Sequence, residues 1–213
     1  MYHLDEVRPM YLLGGNNPRS KKKKIIPRPV TAFQSTTYPQ AAAALNAYWT
    51  THPITKITPE TAAKVARVES SMNPYAGDTF RGFGQVSQDQ YSTYYGADSA
   101  SVVMDEYKNR RRTLTDAAAD YNTHLSNMAS RVNADVLTFG RVMVNQFAPN
   151  ASLDQKVSKR VWDNNVKLFI NDGRLPSTLQ YGTTTYRELM NAFDNDFYED
   201  GSQRPKLKQP ATK

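Results

Sequence analysis

The 213-residue chain contains no cysteine. It therefore has no disulfide framework and no thiolate for catalysis, and nothing in it marks an oxidising compartment. Histidine is also scarce: the three residues, His3, His52 and His124, are scattered and lack the spacing of metal ligands. We predict no metal site and no cofactor.

Long apolar runs are missing as well. The N-terminal region has acids at positions 5 and 6, and its only apolar stretch there, residues 10–13, is short. This pattern fits neither a secretory signal nor a membrane span. We therefore expect no membrane-spanning segment.

Acidic residues are rare at the two ends of the chain. Residues 1–30 carry seven Lys/Arg against two acids, and residues 201–213 carry four Lys/Arg and no acid. Since the formal net charge is +7, the 170 residues in between total −2. The lysine run at 21–24 is either a solvated stretch or a site that attracts nucleic acid or another anionic surface without sequence preference.

Apolar residues recur at helical spacing through the middle of the chain, and strand signals are few. This predicts a mainly α fold. In the second helix, Thr58 is the expected N-cap, Pro59 occupies the first position and Pro74 terminates. The expected helices span 38–53, 59–72, 87–95, about 100–107, 113–132, 134–149, 153–170 and 183–193.

Glu69 stands out because it interrupts the apolar side of the helix over 59–72. It follows Val65 by four residues and Ala66 by three, so it projects from the core-facing side. Partial desolvation and the negative end of the helix dipole both raise the pKa of a carboxyl group there. Such a group suits a general acid near neutral pH, as in glycosidic bond cleavage. The alternative is that Glu69 turns to solvent or caps the loop amides.

A glycine-rich loop follows this helix. "NPYAGDTFRGFGQVS" contains Gly77, Gly82 and Gly84, with Gln85 directly after the last of them. Glycines permit tight turns and close approach of a ligand to the backbone, and a glutamine amide both donates and accepts hydrogen bonds. The loop is therefore either one wall of a binding cleft or only a tight connection.

These two segments resemble a known family. "ESSMNP", which begins at Glu69, matches the Glu-Ser-x-x-Asn-Pro signature of the soluble lytic transglycosylases, relatives of goose-type lysozyme. "GFGQVS" begins 13 residues after Glu69 and matches the Gly-x-x-Gln segment that follows in those enzymes. In "VMVNQFAPNA", residues 142–151, the segment resembles the His-Gln-Phe-Gly-Pro-Gly sequence of phage members. The aligned residues are Asn145, Gln146, Phe147 and Pro149, while Ala148 replaces a glycine. The resemblance covers about residues 55–170.

The resemblance implies a lysozyme-like fold and a lytic transglycosylase that acts on peptidoglycan. Glu69 would protonate the oxygen between MurNAc and GlcNAc and then take the proton of the MurNAc C6 hydroxyl, giving a 1,6-anhydro product. The MurNAc acetamido group would assist at the anomeric carbon. Ser70 would help to position Glu69, Gln85 would contact the substrate or the loop, and Asn145 and Gln146 would bind substrate.

With this resemblance, the predicted organisation is an extended basic arm over residues 1–40, a lysozyme-like transglycosylase domain over 41–175, and a C-terminal extension over 176–213. That extension would hold one short helix and a basic tail. The phage-like segment and the basic arms suggest a virion protein that opens the cell wall for genome entry, with possible contacts to DNA or to other virion proteins.

Two alternatives remain open at this point. The chain could be a virion structural or DNA-ejection protein that keeps a lysozyme-like fold, or a hydrolytic goose-type lysozyme.

Asp78 is the nearest candidate for a second carboxylate, but nothing in its spacing shows that it faces Glu69. A wall enzyme of a secretion system or pilus would normally carry an export signal.

Overall fold

The computed structural model describes residues 38–199 of the chain. The basic tail lies outside this range, and so does the basic arm except for residues 38–40, which form the start of the first helix. The described part is mainly helical, as predicted. Its elements are α1 (Tyr38–Thr51), α2 (Pro59–Ser70), β1 (Phe80–Arg81), β2 (Val86–Ser87), α3 (Gln88–Tyr95), α4 (Ala97–Lys108), α5 (Leu114–Ser130), α6 (Phe139–Phe147), α7 (Lys159–Val161), a π-helical turn (Trp162–Val166), α8 (Lys167–Asn171) and α9 (Tyr186–Asp196).

Side-chain caps define where several helices begin. The Thr58 hydroxyl accepts a hydrogen bond from the Thr61 amide at 3.2 Å, with Pro59 in the first helical position. Ser87 and Gln90 form a reciprocal capping box at the start of α3. These contacts satisfy amide groups that the first turn of a helix leaves without partners. The N-cap predicted at Thr58 is therefore confirmed.

Two helices begin five or six residues later than the periodicity predicts. α6 starts at Phe139 instead of 134, because the Leu137 amide donates to the Lys56 carbonyl at 2.7 Å. The segment before α7 is a turn at residues 153–154 followed by a single bridge at Lys156, and its backbone pairs with residues 184–187, for example from the Val157 amide to the Thr184 carbonyl at 2.9 Å. A distant partner therefore replaces the first helical turns.

The helices pack around one hydrophobic core. α1 packs on α5, α3 on α4, and α6 on both α2 and α9. α9 belongs to the predicted C-terminal extension, yet Leu189 and Phe193 are fully buried with the residues of the earlier helices. Helix α9 is thus part of the same core that includes residues of α2.

A buried ionic cluster joins α4 to α5. The Arg112 guanidinium donates to both carboxylate oxygens of Asp120, at 2.9 and 2.7 Å, and to Glu106 at 2.8 Å. The hydroxyls of Tyr95 and Tyr107 each donate to Asp120 at 2.8 Å. One cation faces two carboxylates here, and the tyrosine hydrogen bonds help to hold the excess negative charge.

Close contact between α6 and α9 depends on Gly140. A Cβ atom at this position would lie 2.1 Å from the Met190 carbonyl oxygen. The Gly140 amide also donates to the Asp194 carboxylate at 2.6 Å. The two helices approach backbone to backbone at this point.

We expect Gly140→Ala to lower the free energy of unfolding by about 2 kcal/mol or more, because the added methyl group forces α6 and α9 apart. Urea denaturation followed by circular dichroism measures this. Gly182→Ala is the matched control: its Cβ would meet nothing within 4 Å, although φ is +85°. That variant should lose only the cost of a strained backbone, about 1 kcal/mol. Equal losses in the two variants would contradict the steric explanation.

Candidate active site

Glu69 lies in the last turn of α2, next to fully buried residues of the same helix. Val65 and Ala66 have no exposed surface, while Glu69 itself is partly buried. No residue between 38 and 199 makes a hydrogen bond or salt bridge to its carboxyl group. The negative end of the α2 dipole lies in the same turn and further disfavours the charged form of this carboxyl group.

Burial raises the pKa of Glu69 from 4.5 to about 7, and the positive charge of Arg174 lowers it by a smaller amount. Desolvation penalises the carboxylate more than the neutral acid, which explains the direction of the larger effect. A carboxyl group with this pKa holds a proton on about half of the molecules at neutral pH. It can therefore donate a proton to a poor leaving group.

Arg174 lies on the connection after α8, and it is held by aromatic rings. Its guanidinium is 4.9 Å from the ring centre of Phe169 and 5.0 Å from that of Phe197. Its own pKa is lowered by burial, while the charges of Asp172, Glu199 and Glu69 act in the opposite direction. No sequence signal pointed to this residue, because it follows Glu69 by 105 positions in a loop without a motif.

Tyr121 on α5 connects Glu69 to the glycine-rich loop. The charge of Glu69 contributes to the raised pKa of this tyrosine, whose hydroxyl donates to the Ala62 carbonyl on α2 at 2.8 Å. On its other side, the Tyr121 ring comes within 3.0 Å of the position that a Cβ on Gly84 would take. A side chain at position 84 would therefore push the Tyr121 or His124 ring aside by a few tenths of an ångström.

Helix α2 ends in a strained turn that leads into the loop. Ser71 and Met72 adopt φ values of +50° and +61°, which non-glycine residues rarely adopt. For this reason α2 ends at Ser70, two residues before the end that the sequence predicted. Asn73 then turns the chain, because its side-chain oxygen accepts a hydrogen bond from the Tyr75 amide at 3.1 Å. Such strain is often stored near functional sites.

Gln85 points into its own loop. Its side-chain amide donates to the carbonyls of Gly82 at 3.2 Å and of Ala76 at 3.4 Å. Gln85 also has a φ of +49°, so its backbone is strained like that of the residues after Glu69. The family resemblance implied that Gln85 contacts either the substrate or the loop, and the structure contains the contact with the loop.

Ser70 is buried, and its hydroxyl donates to the Ala66 carbonyl one turn earlier at 2.9 Å. This hydrogen bond stays within α2. Any effect of Ser70 on Glu69 therefore passes through the helix backbone.

Asn145 and Gln146 lie near the end of α6. Gln146 donates from its side-chain amide to the Gly84 carbonyl at 2.9 Å, so it meets the same loop that Gln85 holds from inside. Asn145 is 95% buried, and its side-chain nitrogen has no hydrogen-bond partner in the described structure. The third predicted segment thus packs beside the second.

Asp78 is fully exposed, and its nearest cation is Arg81 at 3.9 Å. It does not contribute to the pKa of Glu69, for which Arg174 is the one charged contributor among residues 38–199.

Among residues 38–199, no group of three potential metal-ligating side chains comes together. No helix in this range has the length and apolar character needed to cross a membrane.

Comparisons with protein-family models, with curated proteins and with solved structures give no match for this chain.

The raised pKa of Glu69 predicts a specific effect on stability. The folded-state pKa, about 7, lies above the value of 4.5 expected in the unfolded chain. The stability that the neutral acid provides is therefore complete below pH 4.5 and is lost as the pH rises through 7. At pH 8 we expect Glu69→Gln to be more stable than the wild type, by up to about 3 kcal/mol.

Thermal unfolding at pH 4 and pH 8 tests this expectation. The advantage of Glu69→Gln should vanish at pH 4, where the wild-type carboxyl group is already neutral. Glu60→Gln, in the exposed first turn of the same helix, serves as the matched control. It should be no more stable than the wild type at pH 8 or at pH 4. An equal gain for both variants would argue against a desolvated Glu69.

Proposed function

We propose that this protein is a peptidoglycan lytic transglycosylase with a lysozyme-like fold, in which Glu69 is the single catalytic carboxylic acid. The observation that carries the proposal is a carboxyl group without a hydrogen-bond or salt-bridge partner among residues 38–199, with a pKa of about 7, at the end of a helix that leads into the glycine-rich loop. The order and spacing of the three sequence segments support the same activity.

The proposed reaction needs one group that acts first as an acid and then as a base. Glu69 donates its proton to the glycosidic oxygen as the bond from the MurNAc anomeric carbon breaks, and the electron pair leaves with the GlcNAc oxygen. The acetamido group of MurNAc assists at the anomeric carbon. The Glu69 carboxylate then takes the C6 hydroxyl proton while that oxygen bonds to the anomeric carbon, which gives the anhydro product.

The charge environment favours this route over a two-carboxylate hydrolysis. Most glycosidases use a second carboxylate close to the acid, as nucleophile or as base for water. Among the described residues, no other carboxylate influences Glu69, and Asp78 is exposed to solvent. A reaction that relies on the acetamido group of its own substrate needs no such partner.

Ser70, Gln85, Asn145 and Gln146 complete the proposal as the residues that shape the substrate site. Gln85 and Gln146 hold the carbonyls of Gly82 and Gly84, which supports a fixed loop as one wall of a cleft. Asn145 lies next to Gln146, and its side-chain nitrogen has no hydrogen-bond partner among residues 38–199. These two α6 residues are proposed to contact the glycan strand.

The proposal includes a location. The basic ends of the chain and the phage-like "NQFAP" segment favour a virion protein that acts in the host cell wall during genome entry. The ends would then contact DNA or neighbouring virion proteins.

Peptidoglycan zymography of the purified protein tests the assignment to Glu69. We expect wild type and Glu60→Gln to clear the gel equally, and Glu69→Gln to lose about 100-fold or more of the activity, because removal of a general acid has this effect. Mass spectrometry of the released muropeptides should find anhydro ends, which are lighter than hydrolysed ends by one water.

Three results would contradict parts of the proposal. Equal clearing by wild type and Glu69→Gln removes the catalytic role of Glu69. An inactive wild type favours the structural or DNA-ejection protein with a lysozyme-like fold. Hydrolysed ends without anhydro ends identify a lysozyme of the goose type.

Arg174 should set the pH range of the reaction. Activity should fall as the pH rises through about 7, since the acid form of Glu69 is lost there. Arg174→Met removes the charge that stabilises the Glu69 carboxylate, so the pKa of Glu69 should rise and the falling limb should move to higher pH. The pH dependence of kcat/KM measures the shift.

Arg187→Met is the matched control for this shift. Arg187 is an exposed residue near the start of α9 that pairs with Asp154 at 2.8 Å, and it does not contribute to the pKa of Glu69. Its replacement should leave the limb in place. An unchanged limb in Arg174→Met would show that Arg174 does not act on the catalytic acid.

A further inference from the structure

Residues 197–199 follow α9 and are bound to the second half of α2. The Glu199 carboxylate accepts two hydrogen bonds from the Arg67 guanidinium, at 2.9 and 3.1 Å, in the two-point geometry that arginine and carboxylate favour. The Lys64 ammonium lies 5.7 Å from the centre of the Phe197 ring. Arg67 is in the last turn of α2, two positions before Glu69. The segment after α9 is therefore held to the helix that carries the proposed acid.

The same segment holds Arg174. The Tyr198 amide donates to the Arg174 carbonyl at 3.0 Å, and the Arg174 amide donates to the Phe169 carbonyl at 2.8 Å. The Arg174 guanidinium lies over two rings, 4.9 Å from the centre of Phe169 and 5.0 Å from that of Phe197. These rings are inclined at 77° to each other, so they form a corner around the cation. One side of this corner comes from the segment after α9.

Three carboxylates compete for the Arg174 guanidinium. The charges of Asp172, Glu199 and Glu69 all act on it. Asp172 and Glu199 are exposed, so an arginine that moved toward them would keep its water, whereas Glu69 is desolvated. A long side chain without further restraint would divide its time among these partners and solvent. Attraction to the two ring faces supplies the restraint.

Few charged groups face Glu69 itself. Arg174 approaches from the connection after α8, and Tyr121 approaches from α5 with a hydroxyl that stays neutral because burial raises its pKa. Arg67 on the same helix and Arg141 on α6, which packs on α2, do not contribute to the pKa of Glu69. Among residues 38–199, the position of Arg174 is thus the variable on which the charge around Glu69 depends.

We propose that Phe197 is a positioning residue of the candidate active site, whose ring keeps the Arg174 guanidinium directed at Glu69 instead of at Asp172 or Glu199. The ion pair between Arg67 and Glu199 fixes the segment that carries the ring. The inference rests on the proposed function in taking Glu69 as the catalytic acid. It makes a side chain beyond the last helix, 128 positions after Glu69 in the sequence, part of the control of that acid.

NMR of the full chain tests this role, with a ¹³C label in the side-chain carboxyl groups of glutamate. The signal that disappears in Glu69→Gln identifies Glu69, and its pH titration gives the pKa. Phe197→Leu keeps an apolar side chain and removes the ring face, so Arg174 should act less on Glu69 and the pKa should rise. We expect at least about a third of the rise that Arg174→Met produces. Phe197→Tyr keeps the ring and should retain the wild-type value.

Phe139→Leu is the matched control. Its ring belongs to the same aromatic cluster, 5.3 Å from that of Phe197, but it is not one of the two rings over which Arg174 lies. This variant should lose stability and leave the pKa of Glu69 in place. In an Arg174→Met background, Phe197→Leu should cause no further rise, because the cation through which the ring acts is gone.

The proposal is overturned if Phe197→Leu leaves the pKa of Glu69 unchanged, or if the pKa rises equally with and without Arg174. If Phe197→Leu does not fold, Phe197→Met replaces it, since methionine adapts to irregular gaps in a core. The NMR titration needs no turnover. A protein that clears no peptidoglycan would therefore contradict the proposed catalysis and leave the test of Phe197 intact.

Discussion

The buried cluster around Arg112 is the interaction on which the rest of the structure depends. It joins α3, α4 and α5 through Asp120, and it also reaches the segment after Glu69, because the Tyr75 hydroxyl donates to the Arg112 carbonyl at 2.5 Å. The Tyr75 carbonyl in turn accepts from the Arg81 guanidinium at 3.1 Å. The start of the loop is thereby fixed to the helical scaffold, and strand β1 is held to that start. Loss of Arg112 alone would remove the cation that contacts both Asp120 and Glu106, and breaking a buried ion pair in this way typically costs about 3–5 kcal/mol.

Around Glu69 the same scaffold accepts unfavourable arrangements. A carboxyl group is held without a hydrogen-bond or salt-bridge partner in the described part of the chain, and two consecutive residues after it, Ser71 and Met72, have left-handed backbone conformations. Each of these features reduces stability, and neither is needed to end a helix, which a single glycine would do. Their concentration within four residues of the chain is the reason to connect them with a chemical role. The cluster at Arg112 and the packing of α9 supply the stability that this region lacks.

Much of the local structure could be predicted from the sequence, because its signals lie close together in the chain. Thr58 and Pro59 mark the start of α2, and the spacing of Val65 and Glu69 places the carboxyl group on the buried side. The sequence could not predict features that depend on distant partners. Arg174 acts on Glu69 through tertiary structure, and the backbone of residues 153–157 bonds to a segment about thirty positions later instead of starting a helix. The lysozyme-like arrangement itself remains a prediction.

The two glutamines that hold the loop have a consequence for recognition. Gln85 binds it from within and Gln146 binds it from α6, so the carbonyls of Gly82 and Gly84 are both restrained before any ligand arrives. A surface restrained in this way loses little conformational entropy when it is occupied, and its shape changes little between the free and bound states. Discrimination between ligands then depends on how well each fits a preformed surface. Association should be limited by diffusion and orientation, without a slow closing step.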